Sequence, residues 1–140
     1  MAITSGMTVF CKRDFMRGVH QPGDEYMIAL YGPDADLSPL TTERYSSKGE
    51  VQSKGYRAGG MPLQGYVCEL DGTRAVMGWS YDPVWKNTSI KAYGALIYNA
   101  SKDNAALAVV EFAEPIISTN GNFRVSMPDV RSTQTPLWLA

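Results

Sequence analysis

Histidine and cysteine are scarce in this sequence, and their scarcity limits the chemistry that the chain can carry. Its 140 residues include one histidine, His20, and two cysteines, Cys11 and Cys68. Zinc sites need more cysteine and histidine ligands at short spacing, so no metal site is predicted. A serine or cysteine nucleophile would have to use His20 as its base. His20 follows a predicted helix directly, and a structural role is expected there. The cysteines lie far apart without a motif, which predicts two reduced thiols in or near the core.

An excess of charge of one sign is also missing. Charged residues make up 19% of the chain, and the net charge is −1. The closest approach to a basic stripe is Lys12, Arg13 and Arg17, which Asp14 interrupts. Proteins that bind nucleic acid through its phosphates carry a basic excess or a basic stripe. Nucleic acid is therefore not predicted as a direct partner.

Long hydrophobic runs are absent as well. The longest apolar run lies around residues 105–110 and is far too short to cross a bilayer. The N-terminus lacks the charged and apolar segments of a secretory signal. No membrane partner is predicted. Aromatic residues make up 11% of the chain, and this content together with low charge argues against disorder.

Signals of catalysis are missing too. The glycine-rich stretch Gly55–Gly60 is not followed by Gly-Lys-Ser or Gly-Lys-Thr, which excludes a phosphate-binding loop of the common type. The sequence brings no particular pair of acidic residues together as a glycosidase would require. We therefore predict no catalytic residue, no cofactor and no enzymatic activity. A hydrolase on a β-sandwich stays an alternative that would need converging acids.

The first element with clear signals is a short helix near the N-terminus. Thr8 is a suitable N-cap, Arg17 falls in the last turn, and Gly18 suits a left-handed stop. Cys11 and Phe15 are four residues apart and would share the buried face. The residues that start this segment would also suit a strand.

Strand signals dominate the rest of the chain. In residues 25–31, apolar side chains occupy both faces of the expected strand. This pattern predicts a strand that is covered on both sides. Residues 88–98 and 105–112 predict a second hairpin around a polar loop, with Glu114-Pro115 closing it. Asn120-Gly121 predicts a turn before an alternating strand over residues 123–127, and residues 137–139 predict a last short strand.

Asp71-Gly72 gives the most specific local prediction. This dipeptide separates residues 66–70 from residues 73–77, both of which resemble strands, and it is typical of a two-residue hairpin turn. The turn would place Leu70 opposite Thr73 and Glu69 opposite Arg74. The face that carries Tyr66, Cys68, Leu70, Ala75 and Met77 is then expected to be buried.

Residues 32–65 differ from the rest, because proline, glycine, serine and threonine are frequent and hydrophobic residues are sparse. Short strands near residues 41–45 and 50–56 are one interpretation. A long loop or extended arm that becomes ordered against a partner is the other. Together the elements predict a mainly β fold, a sandwich or barrel, in one domain over residues 1–140.

Three aromatic residues crowd around Asp82-Pro83: Trp79, Tyr81 and Trp85. A core cluster, an anchor for a protein interface and a platform for stacking sugars are all consistent with them, in that order of preference. Trp138 has the same ambiguity.

Several segments, taken together and in order, resemble a family of small virion proteins of tailed bacteriophages. They are residues 26–31, 49–51, 55–60, 82–85, 93–99, 108–112 and 119–123. Within that family the chain is most similar to capsid cement, or decoration, proteins. The resemblance implies a jelly-roll-like antiparallel β-sandwich that acts as a homodimer.

The resemblance also implies a location and a partner. The protein would be made in the host cytoplasm and would bind the outside of the capsid, where it would hold neighbouring major capsid subunits together. A head–tail junction or tail protein is one alternative, and a carbohydrate-binding β-sandwich is another. The residues predicted for a protein interface are Tyr45, Tyr56, Arg57, Met61, Trp79, Tyr81, Trp85 and Trp138.

Overall fold

The fold is mainly β, with antiparallel sheets and one short helix in the described part of the chain, as predicted. The computed structural model describes residues 2–127 and the strand at residues 137–139. In chain order the elements are β1 Gly6–Met7, α1 Val9–Met16, β2 Tyr26–Tyr31, β3 Met61–Pro62, β4 Tyr66–Asp71, β5 Arg74–Trp79, β6 Val84–Thr88, β7 Lys91–Asn99, β8 Ala105–Ile117, β9 Gly121–Arg124 and β10 Leu137–Leu139.

Three sheets enclose the main core. The largest has the order β1-β8-β7-β2-β3, a second has the order β10-β5-β4, and β6 pairs with β9. Side chains from all three sheets meet in one cluster, including Ile28 from the first, Trp79 from the second, and Trp85 and Phe123 from the third. The burial of such large apolar side chains stabilises the fold by about 1.5–3 kcal/mol each.

The predicted N-terminal helix is confirmed, together with the residues predicted to begin and end it. The Thr8 side chain accepts a hydrogen bond from the Cys11 N–H, which satisfies one of the free donors at the start of α1. Gly18 has a φ of 70° and follows the last turn, as a left-handed stop requires. Cys11 is fully buried, and Phe15 packs against the same core cluster.

β2 is covered on both faces, as its continuous apolar pattern predicts. Ile28 and Leu30 point into the main core, whereas Ala29 and Tyr31 belong to a second cluster on the other face of the sheet. This second cluster also contains Ala35 and Leu37, together with the partly buried Tyr45. The long segment after β2 therefore forms the cover of the largest sheet.

Residues 32–65 contain no strand at 41–45 or 50–56, so that prediction is wrong. The segment forms three isolated bridges before the short strand β3: Leu37 with Ile3, Arg44 with Ala105, and Glu50 with Tyr31. It also does not project as an arm, because Ala35 and Val51 are buried against the rest of the protein. The alternative of an arm that orders only against a partner is therefore wrong: the segment is ordered on its own sheet.

The β4–β5 hairpin forms with a register that differs from the predicted one. Asp71 lies opposite Arg74, and Leu70 lies opposite Ala75, so the two turn residues are Gly72 and Thr73. Among the four residues Asp71–Arg74, only Gly72 has a positive φ, at 65°. This matches a type II′ turn with glycine at its first central position, whereas Asp-Gly at the centre of a type I′ turn would need two positive φ angles.

The burial of this hairpin also differs from the prediction. Tyr66, Cys68 and Leu70 do share one face, but Cys68 is exposed and 68% of Leu70 is exposed. Tyr66 stacks on Tyr26 with 5.8 Å between ring centroids, so only the start of β4 reaches the core. The turn end of the hairpin extends beyond the core. Of the two thiols predicted in or near the core, Cys11 is there and Cys68 is at the surface.

β7 and β8 form the predicted second hairpin at the centre of the largest sheet. However, β8 continues through Pro115 to Ile117 rather than closing at Glu114-Pro115. Gly94 pairs with Glu111 and Ala92 pairs with Ile116, so residues 112–115 bulge opposite Tyr93 alone. Pro115 is tolerated because a bulge requires no ladder hydrogen bond from it.

The remaining strands agree in part with the prediction. β6 was not predicted, and the strand predicted to begin at Thr88 begins at Lys91 instead. Asn120 has a positive φ at the predicted turn, but the strand after it is Gly121–Arg124 rather than residues 123–127. The predicted alternation does hold, because Phe123 and Val125 are buried between exposed neighbours. β10 pairs with β5 and confirms the predicted C-terminal strand.

Candidate protein interface

A buried carboxylate organises the long segment between β2 and β4. Glu50 is only 7% exposed although it lies in a stretch rich in glycine and serine. Its Oε1 accepts a hydrogen bond of 2.7 Å from the Tyr45 hydroxyl, and its Oε2 accepts bonds from the Tyr56 hydroxyl and, at 2.9 Å, from the Gly59 N–H. A buried charge needs several such donors to offset its loss of hydration.

The tyrosines of this network connect the segment to the sheet. The Tyr56 hydroxyl accepts a hydrogen bond of 2.9 Å from the Leu30 N–H of β2. The Tyr98 hydroxyl of β7 donates to the Gly59 carbonyl at 2.7 Å, and its ring stacks on Tyr45 with 4.7 Å between centroids. We call Tyr45, Glu50, Tyr56, Gly59 and Tyr98 the Glu50 network.

The electrostatics of the Glu50 network keep its hydroxyls protonated. Burial, and next the hydrogen bond to Glu50, raise the pKa of Tyr45 and of Tyr56 well above the usual value of a tyrosine. Burial, and then the charge of Glu50, raise the pKa of Tyr98 to about 12. These hydroxyls therefore stay protonated and act as hydrogen-bond donors near neutral pH, and they keep the segment attached to the sheet.

The network leaves a polar surface on the outer side of the segment. We call this the loop surface, and its exposed members are Asp34, Asp36, Thr41, Glu43, Arg44, Lys48, Gln52, Lys54 and Arg57. Its three acidic side chains come first along the segment, and its four basic side chains follow from Arg44 onward. Two open depressions of about 400 and 490 Å³ share residues 50–53 as lining, so the surface is uneven rather than flat.

Seven of the eight predicted interface residues fall into three groups by their exposure. Arg57 is exposed and Tyr81 is 67% exposed, so both are available to a partner. Three are half-buried: Tyr45 and Tyr56 are inside the Glu50 network, and Met61 packs against the core. Trp79 and Trp85 are buried, and the side chain of Trp138 lies outside the described residues.

The two buried tryptophans correct the interface prediction. Trp79 is 2% exposed and lies 5.3 Å from Tyr26, while Trp85 is 6% exposed and lies 5.8 Å from Phe123, measured between ring centroids. As interface candidates they are wrong, because neither ring offers surface to a partner. The same burial removes two of the three rings that a sugar-stacking platform would need.

Glu50 was missed by the sequence analysis. The signal available in the sequence was a lone glutamate followed by valine, with tyrosines five residues before it and six after it. A carboxylate beside a buried apolar residue indicates a buried acceptor, but spacing alone does not identify its donors.

A second buried polar cluster joins the start of β2 to the end of β7. Asn99 donates through Nδ2 to Asp24 at 2.8 Å and to Nδ1 of His20 at 3.0 Å, so the proton of the neutral imidazole is on Nε2. Lys102 donates to both carboxylate oxygens of Asp24 at 2.8 Å. His20 is thus held as a neutral packing residue, and it has a structural role as predicted.

The His20 cluster predicts a loss of stability in mild acid. Burial lowers the pKa of His20 below its usual 6.5, although Asp14 and Asp24 oppose the shift. The unfolded chain therefore binds a proton at a higher pH than the folded chain does, and stability falls as the pH drops below 6.5. We expect the melting temperature to fall between about pH 7 and pH 5.

The control for this prediction is His20→Gln, which cannot titrate. Its melting temperature should change less over the same pH range, whatever its value at neutral pH. Carboxyl groups contribute little to the change in melting temperature over this pH range, because they titrate mostly below about pH 5 in the unfolded chain. Equal pH slopes for the two proteins would contradict the assignment to His20.

The described residues offer few other sites. No group of three or more histidine, cysteine or acidic side chains that could hold a metal ion occurs in the part of the chain that the structure describes. No helix among the described residues is long and apolar enough to span a membrane. Comparisons with protein-family models, with curated proteins and with solved structures find no match to this chain.

Proposed function

We propose that this chain is a structural virion protein that binds the outside of a tailed-phage capsid as a cement protein. It would stabilise contacts between neighbouring major capsid subunits. The sequence resemblance suggests the class, and one structural observation supports the mode of action. That observation is the loop surface, a long irregular segment that the Glu50 network holds in place.

A preorganised loop surface suits binding to an assembled shell. Ordering a flexible loop on binding costs conformational entropy, and a segment that is already ordered avoids that cost. Mixed charges give directional contacts without a strong attraction for nucleic acid, in line with the net charge of −1. Exposed Arg57 and Tyr81 belong to the residue types that contribute most at protein interfaces.

Modest contacts are sufficient for this role. Each copy would touch more than one capsid subunit, and simultaneous contacts on one rigid shell raise the effective concentration of each contact. An interface of about 800 Å² per partner would be of standard size. The partner is thus the major capsid protein, and the location is the outer face of the virion.

Co-sedimentation with expanded, undecorated phage heads tests this proposal. We expect the purified protein to sediment with the heads and to saturate at hundreds of copies per shell, as shell symmetry requires. A variant with Arg57→Glu should bind more weakly, whereas Met16→Glu, at a residue of α1 that is 91% exposed, should bind as the natural protein does.

The copy number separates the cement role from its nearest alternative. Saturation at about a dozen copies would place the protein at the head–tail junction or tail, because connectors are closed rings. No binding to heads at any concentration would contradict the cement function.

A further inference from the structure

The turn between β8 and β9 contains an asparagine with a glycine directly after it. Of the five asparagines in the sequence, only Asn120 precedes a glycine, Gly121. Asn120 is exposed, and its φ of 48° lies in the left-handed region. Asparagine tolerates that region better than most residues do. The turn therefore presents an Asn-Gly pair at the surface of the folded protein.

The glycine lies at a strand end. Gly121 pairs with Thr88, and its carbonyl accepts a hydrogen bond of 2.9 Å from the Thr88 hydroxyl. An irregularity between Trp85 and Thr88 separates this pair from the rest of the β6–β9 register. Strand ends of this kind open locally at little cost in free energy. A small movement of the backbone can therefore bring the Gly121 nitrogen against the neighbouring Asn120 side chain.

A lysine contacts the amide of this asparagine. The Lys54 Nζ donates to the Asn120 Oδ1 at 3.4 Å. Ser89 holds the two residues together, because its N–H donates to the Lys54 carbonyl at 3.1 Å and its hydroxyl accepts from the Asn120 N–H at 3.2 Å. A cation beside a carbonyl oxygen stabilises the negative charge that develops on that oxygen when the carbonyl carbon is attacked.

We infer that Asn120 is a site of spontaneous deamidation in the folded protein and that Lys54 accelerates the reaction. The Gly121 backbone nitrogen attacks the Asn120 Cγ, so the N–Cγ bond forms and the Cγ–Nδ2 bond breaks. Ammonia leaves with the proton of the Gly121 nitrogen, and a cyclic succinimide remains. The attack is favoured because both groups belong to adjacent residues.

Water completes the reaction. It adds to one of the two succinimide carbonyls and breaks the bond from that carbonyl to the ring nitrogen, which gives aspartate or isoaspartate. In sum, asparagine and water give the acid and ammonia, so no oxidant or cofactor is needed. The product carries one more negative charge than the natural chain, whose net charge is −1.

The modification has two structural consequences. Aspartate also tolerates a left-handed backbone, so the aspartate product keeps the turn. Isoaspartate inserts a methylene group into the backbone directly before β9 and disturbs the pair of Gly121 with Thr88. In both products the new carboxylate lies near Lys54 and partly neutralises the basic half of the loop surface. The inference does not depend on the proposed function.

The other asparagines serve as internal references. Asn99 is fully buried. The remaining three are exposed, but each precedes a residue with a side chain, which hinders the approach of the backbone nitrogen; they are Asn87 before threonine, Asn104 before alanine and Asn122 before phenylalanine. Among exposed asparagines, Asn120 is therefore expected to react fastest.

Peptide mapping by mass spectrometry tests the site. The full chain is kept folded at mildly alkaline pH, and we expect aspartate and isoaspartate to accumulate faster at position 120 than at the other asparagines. Gly121→Ala should slow the reaction at least about tenfold, because its methyl group hinders the nitrogen. This variant should fold normally, since a Cβ at Gly121 would contact only the Thr119 carbonyl oxygen, at 3.6 Å.

Lys54→Met tests the contribution of the lysine. It keeps a long side chain but removes the charge, and we expect a rate a few-fold lower, because an exposed cation acts through water and salt. Lys48→Met is the matched control, as it removes the same charge from another exposed lysine of the same segment and should leave the rate unchanged. Equal rates in these two variants would overturn the role of Lys54.

The chain unfolded in guanidinium chloride provides the reference for the reaction without a fold. If the unfolded chain deamidated at Asn120 while the folded chain formed no product there over the same period, the fold would protect the turn and the inference would be overturned. None of these measurements uses phage heads. A protein that deamidates at Asn120 but does not bind heads would contradict only the proposed function.

Discussion

Glu50→Ala is expected to lower the free energy of unfolding by about 3 kcal/mol, because it leaves three donors without their acceptor. This carboxylate accepts hydrogen bonds from the Tyr45 hydroxyl, the Tyr56 hydroxyl and the Gly59 N–H. A buried donor without a partner costs about 1–3 kcal/mol, while removal of a buried charge returns part of that loss. Urea denaturation followed by tryptophan fluorescence measures the change.

The control for this prediction is Glu43→Ala in the same segment. Glu43 has a side chain that is 47% exposed, and its ion pair with Arg13 is long, at 3.6 Å. Exposed pairs of this kind contribute little, so a change within about 0.5 kcal/mol is expected. If both variants unfolded at the same urea concentration as the natural protein, the Glu50 network would not be holding the segment.

Gly60→Ala should have an effect of similar size for a different reason. A Cβ atom at Gly60 would lie 1.8 Å from the Ile28 carbonyl oxygen, and the collision partner is backbone of β2 rather than a movable side chain. Gly60 also has a φ of 82°, which is unfavourable for alanine. The left-handed backbone costs about 1–2 kcal/mol and the forced backbone shift adds about 1–3 kcal/mol, so a total of about 3 kcal/mol is expected.

Gly18→Ala separates these two contributions. Gly18 has a φ of 70°, but no atom lies within 4 Å of the position where its Cβ would be. It should therefore lose only the backbone contribution of about 1–2 kcal/mol. Thermal or urea unfolding of both variants gives the comparison. Equal losses at Gly18 and Gly60 would mean that the segment does not pack closely on β2.

Local signals explain the parts of the fold that could be predicted. Helix α1 follows from the Thr8 cap and the Gly18 stop, and β2 follows from an apolar run that suits a strand with two covered faces. The hairpin was located correctly, but its register depends on which residue adopts a positive φ. Both Asp71-Gly72 and Gly72-Thr73 contain the required glycine, so the sequence did not separate them.

Long-range contacts explain most of what could not be predicted. The hydroxyl of Tyr56 meets the N–H of Leu30, and that of Tyr98 meets the carbonyl of Gly59, which are partners 26 and 39 residues away. No periodicity reports such pairs. The sequence also did not decide whether Trp79 and Trp85 are buried or exposed at an interface, because tryptophan is common in both cores and interfaces.

The most direct test of the central claim is hydrogen–deuterium exchange of the protein free in solution and bound to undecorated heads. If the loop surface is the part that contacts the shell, amide exchange should slow on binding within residues 32–65, and the helix α1 should exchange as before. Slower exchange confined to other regions, with residues 32–65 unchanged, would contradict the claim that this ordered segment binds the capsid.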